Sequence, residues 1–104
     1  MDKFIVYKRQ DRNDTFCNLA NVRRITVETD SHSKLKCLTL EYPDDAHCIP
    51  LHKLTTEGSI AYFRRALKIF LSKSEDSVFD VEAIQNCVVD QRPLNFSVDS
   101  EFQR

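Results

Sequence analysis

The stretch TTEGSIAYFRRALKIFLS, Thr55 to Ser72, decides how the rest of the chain is read. Stepped at 100° per residue from Ile60, Phe63, Leu67, Phe70 and Leu71 fall on one side with it. Ala66, Tyr62 and Ile69 widen that side to roughly half the circumference or more. The polar stripe that remains is narrow, and its charges are all positive: Arg64, Arg65 and Lys68. A helix laid on one sheet needs an apolar arc of only ~100°. The spacing therefore predicts a long helix, capped by Thr55 or Thr56 with Glu57 in its first turn, that has more apolar surface than one sheet can cover. The surplus is expected to meet either the C-terminal segment or another chain.

Upstream of the helix the sequence is β-rich. Lys3 to Lys8 reads as a first strand and Asp11-Arg12-Asn13-Asp14 as a polar turn. Thr15 to Glu28 reads as extended but broken near Asn18–Asn21. Ile25 and Val27 alternate with polar neighbours, and Val22 is out of phase, which predicts a bulge or loop at Arg23. Thr29 to Ser33 forms a connection, and Lys34 to Tyr42 a further strand. There Leu38, Leu40 and Tyr42 oppose Leu35 and Cys37 in parity, as expected of a central or bulged strand. Pro43-Asp44-Asp45 is a turn, and Ala46 to Leu51 a short strand that Pro50 keeps near an edge.

Beyond the helix, Val78, Val81, Ile84 and Val88 have helical spacing, with Ser77 as cap and Asp80 in the first turn, although Val78 to Val81 also passes as a strand. After Pro93, the alternation of Leu94, Phe96 and Val98 predicts an edge strand. The expected fold is α+β: an antiparallel meander of three to five strands, one long amphipathic helix packed across one face, and a short C-terminal helix or strand. Residues 1–98 form a single domain and residues 99–104 a frayed tail.

Composition excludes several functions. The chain has one glycine in 104 residues, Gly58, so the glycine-rich phosphate loops of nucleotide enzymes are missing. It has no apolar run near the ~20 residues of a membrane span, and its opening MDKFIVYK is short and charged at both ends, unlike a signal peptide. A cytoplasmic location follows, in which Cys17, Cys37, Cys48 and Cys87 are expected to be buried reduced thiols. His47, Cys48 and His52 cluster, with Cys37 on the neighbouring strand, but adjacent strand residues point to opposite faces and no C-x-x-C or H-x-x-x-H spacing exists. No metal or cofactor is expected. Cys48 and His52 beside Asp44 or Asp45 make a nominal nucleophilic set that lacks any feature to activate the thiol.

Net charge is −1, unevenly spread. Residues 1–36 carry eight basic and five acidic side chains and residues 37–73 five and four, whereas residues 74–104 carry two and seven. Arg23, Arg24, Lys34, Lys36, Arg64, Arg65 and Lys68, with Phe16 and Tyr7 for stacking, are the candidate nucleic-acid surface, though no dense basic run supports it. The expected function is non-catalytic protein binding by a small regulator, adaptor or inhibitor of bacterial or phage origin, with a nucleic-acid-binding accessory protein as the alternative. Tyr62, Ile69, Arg64, Arg65 and Lys68 are the candidate contact residues, and a homodimer is the simplest assembly.

Overall fold

The run Phe4-Ile5-Val6-Tyr7 is apolar on both parities, as a strand covered on both sides would be. In the computed structural model, which describes residues 2–9, 13–29, 32 and 34–94, it is the centre of a sheet. In chain order the elements are β1 (Phe4–Lys8), β2 (Asp14–Asn18), a 3₁₀ turn (Leu19–Asn21), β3 (Arg24–Thr29), β4 (Lys36–Glu41), β5 (Ala46–Pro50), α1 (Glu57–Ser72), β6 (Val78–Asp80) and α2 (Val81–Val89). The protein is α+β, with two three-stranded sheets ordered β2-β1-β6 and β3-β4-β5.

This corrects the expectation of one meander. The break at Asn18 is sharp, because the Asn18 side chain accepts from Ala20 N at 2.8 Å and turns the chain into the 3₁₀ segment. Strands on either side of it therefore enter different sheets. β1 pairs antiparallel with β2 and parallel with β6, more than seventy residues downstream. The two readings of Val78–Val81 resolve into a strand followed at once by a helix. Asp80 ends β6 and caps α2, its Oδ1 accepting from Ala83 N at 3.1 Å, so Asp80 and not Ser77 is the cap. β1 supplies the partner that makes three residues a strand.

The second sheet follows the parity conflict at Leu35 and Cys37: β4 is its central strand, with Leu38 and Leu40 facing inward. Pro50 ends the edge strand β5, as a residue without a donor can. Helix α1 starts at Thr56, not Thr55, through a reciprocal pair: Ser59 N donates to Thr56 Oγ1 at 3.0 Å and Thr56 N to Ser59 Oγ at 3.2 Å. Its buried residues are Ile60, Phe63, Ala66, Leu67 and Phe70. These join Ile5 and Cys17 of the first sheet, Leu38, Leu40 and Ile49 of the second, and Val81, Ile84 and Val88 of α2 in one core. Phe79 of β6 sits between Phe63 and Phe70, with ring centroids 5.6 and 5.3 Å away.

Two cations fasten α1, one of its own and one from outside it. Arg64 Nη2 donates to Val27 O of the edge strand β3 at 2.9 Å. Lys3, just ahead of β1, places its ammonium at the helix C-terminus, where it donates to Phe70 O and, at 2.9 Å, to Ser74 O. The helix has no basic residue of its own in its last turn, so Lys3 supplies the positive charge its carbonyls favour. Asp11, Arg12, Asp30, Ser31 and Ser33, the strand expected around Phe96 and Val98, and the tail 99–104 lie outside the described residues.

Candidate functional site

Two surfaces stand out, and neither is the one that the helix periodicity singled out. The first is the outer face of the β2-β1-β6 sheet. Register places Val6 opposite Phe16 and Phe4 opposite both Asn18 and Val78, while Ile5, Cys17 and Phe79 share the core side. Phe4, Val6, Phe16 and Val78 therefore form one apolar patch across three strands. Phe16 is 62% exposed and Val78 42%, Phe4 is half-buried, and Val6 is buried at 8%; Lys8, Asp14 and Asp80 share the face. The outer face of the other sheet is different in kind. Register groups Arg24 with Glu41, Thr26 with Thr39, and Glu28 with Cys37 on that side. Arg24 holds Glu41 through two donors, Nε and, at 3.1 Å, Nη2. These hydrogen bonds keep the Glu41 carboxyl below its ordinary pKa. The available signal for the apolar patch was the double parity of Phe4–Tyr7.

The second surface is a half-open cleft of about 710 Å³. It opens where β1 ends (Tyr7, Lys8, Arg9), between β5 (Cys48, Ile49, Pro50), the following loop (His52, Lys53) and the first turns of α2 (Val81, Glu82, Gln85). β1 and β6 are parallel, so their carboxyl ends lie together, and α2 starts there without a loop. Lys53 ties the loop to the helix: its backbone N donates to the buried Gln85 Oε1 at 3.1 Å, and its ammonium pairs with Glu82 at 2.7 Å and donates to Asn86 Oδ1 at 2.5 Å. Burial raises the Tyr7 hydroxyl pKa, with the Cys17 thiol adding to it and Arg9 opposing. Burial likewise raises the pKa of the Cys17 thiol and of the Tyr42 hydroxyl.

The candidate contact residues on α1 separate. Tyr62 is 39% exposed and lines a groove of about 500 Å³ with Val88 and Val89, whereas Ile69 is half-buried and does not line it. Helix α2 thus takes part of the surplus apolar arc. Arg64, Arg65 and Lys68 are exposed, and Arg64 is committed to Val27 O. Basic residues proposed for nucleic acid are similarly engaged: Arg24 with Glu41, and Lys36 with Glu57 at 3.2 Å and with Thr29 Oγ1 at 2.6 Å.

The expectation of four buried thiols is corrected. Cys17 and Cys37 are buried, Cys87 is half-buried and Cys48 is exposed, and none of the four is in a disulfide. Cys48 pairs with Thr39 on the solvent side of an edge strand, while His47, its neighbour, pairs with Leu40 on the other side and stacks edge-on against Tyr42 at 5.3 Å. Cys48 and His52 do line one cleft, but Asp44 and Asp45 stay in the β4–β5 turn, where Asp45 O accepts from Tyr42 N. Among the described residues, no three metal-ligating side chains come together, and no helix is long and apolar enough to cross a membrane. Compared with protein-family models, curated proteins and solved structures, the chain matches none.

Proposed function

We propose that this chain is a non-catalytic protein-binding domain, a regulator, adaptor or inhibitor acting in the cytoplasm, and that its recognition surface is the outer face of the β2-β1-β6 sheet. The observation that supports this reading is the apolar patch of Phe4, Val6, Phe16 and Val78, which contrasts with the polar exterior of the second sheet. Contiguous exposed apolar surface marks association sites, and aromatic side chains are enriched at the centres of interfaces. The surface of Tyr62, Ile69, Arg64, Arg65 and Lys68 is the secondary contact in this proposal. A second copy of the chain is the simplest occupant, since a two-fold dimer lets one apolar face cover itself.

Light scattering over a concentration series tests it with Phe16→Glu, Tyr62→Glu and Arg65→Glu. A wild-type dimer that Phe16→Glu alone converts to monomer, at an unchanged melting temperature, supports the sheet face. Monomerisation by Tyr62→Glu alone moves the interface to α1. A wild type that stays monomeric at every accessible concentration removes the homodimer. Unfolding by Phe16→Glu would assign the patch to the fold and refute its role in recognition.

A further inference from the structure

We propose that the cleft at the carboxyl ends of β1 and β6 binds a small organic oxyanion, a molecule carrying phosphate or carboxylate groups on a compact apolar body. Its volume of about 710 Å³ lies within the ~300–1,000 Å³ typical of small-molecule sites. Its position is also one that ligands favour, outside the carboxyl ends of parallel strands.

Charge selects the ligand class. Three cations line the cleft, Lys8, Arg9 and Lys53, against one carboxylate, Glu82. Lys53 and Glu82 neutralise each other at 2.7 Å. Asp14 lies opposite Lys8 in register, yet among the described residues neither Lys8 nor Arg9 forms an ion pair. Arg9, just past the end of β1, lines the cleft together with Tyr7 and Lys8, and its positive charge opposes the rise in the Tyr7 hydroxyl pKa. A guanidinium offers a planar fork of donors suited to phosphate and carboxylate oxygens, and Lys8 adds a point charge.

The opposite wall complements these cations. Gln85 is 3% exposed and lines the cleft, and an amide side chain carries two N–H donors beside the oxygen that Lys53 N occupies. The first turn of α2, Val81 and Glu82, also lines the cleft, its N-terminal dipole being met by the capping Asp80 carboxylate. Ile49, Pro50 and Val81 provide the apolar lining for the ligand body. The site borders the partner-binding face at Lys8, which shares the strand parity of Phe4 and Val6.

A ¹⁵N NMR titration at constant ionic strength tests the proposal, with inorganic pyrophosphate and citrate as probes and sodium chloride as the control. Saturable shifts at the amides of Lys8, Arg9, Lys53, Val81 and Glu82 are expected with at least one probe. Pyrophosphate alone would identify phosphate as the recognised group, and citrate alone carboxylate. The Lys8→Glu/Arg9→Glu variant should bind at least tenfold more weakly, and Arg9→Gln alone severalfold more weakly. Arg23→Glu, at an exposed position ahead of β3 and outside the cleft, should bind as wild type does. Should the double variant fail to fold, Arg9→Gln carries the comparison. Non-saturating shifts, equal shifts with sodium chloride, shifts centred on α1, or full affinity in Arg9→Gln and the folded double variant would overturn the proposal.

Discussion

Replacing Lys3 by methionine isolates the charge that closes α1. Methionine keeps most of the apolar stem and its packing, so what is lost is the ammonium. That group donates to Phe70 O and Ser74 O and lies 4.6 Å from the centroid of the Phe70 ring. Hydrogen bonds from a charged donor contribute roughly 1.5–3 kcal/mol each, a cation at a helix C-terminus about 0.3–1, and a cation over an aromatic face about 0.5–1. One partly buried charge makes all of these contacts, so they overlap, and the expected loss is about 2–3 kcal/mol. For a domain of this size 1 kcal/mol shifts Tm by about 4–8 °C, which puts the fall near ~10–20 °C. Calorimetric melting of wild type, Lys3→Met and Lys3→Arg measures it, with arginine expected to recover most of the loss. Amide exchange should quicken locally at Lys73 and Ser74, whose N–H groups bond Ile69 O at 2.9 and 2.8 Å. A Lys3→Met protein that melts within 2 °C of wild type would refute the claim that a residue ahead of β1 caps this helix.

The turn after α2 and the thiols give two further tests. Gln91 has φ 56° between Asp90 and Arg92, and its neighbour Arg92 donates to Cys87 O at 2.9 Å in a helix-ending motif that favours glycine. Gln91→Gly should raise stability by about 0.5–1 kcal/mol in urea titration, and a loss would contradict the left-handed assignment. Native labelling should modify Cys48 first and leave Cys17 and Cys37 until the protein unfolds; labelling of Cys17 as fast as Cys48 would contradict its burial. Burial holds the proton on Cys17, Tyr7 and Tyr42 beyond the pH at which the unfolded groups lose theirs. Above about pH 8.5 the unfolded chain therefore binds fewer protons than the native one, and stability should fall as pH rises. The slope between pH 8.5 and 10 should be smaller in Cys17→Ala, and an unchanged slope would show that Cys17 does not contribute.

Local periodicity was enough for the elements whose residues satisfy one another. A helix capped at Thr55 or Thr56, the break at Asn18–Asn21, the Pro43 turn and a central or bulged β4 were all legible, because caps, turn chemistry and strand parity act over a few residues. The buried side of α1 was legible too, though not the groove that its flank at Tyr62 shares with Val88 and Val89 of α2. Tertiary structure decided what depended on distant partners. Val78–Asp80 is a strand only because β1 offers it a parallel edge, and that pairing makes β1 the centre of its sheet and leaves Asp80 to end β6 and cap α2. The same pairing carries Val78 beside Phe4 on the outer face of the sheet, and brings Arg9 and Val81 to one cleft. Lys3 reads in the sequence as a charge flanking a strand, and only the fold sets it on the carbonyls of Phe70 and Ser74. Helix periodicity and turn propensity are short-range, whereas sheet pairing and surface charge are settled by which segments lie side by side once the core closes around Phe79.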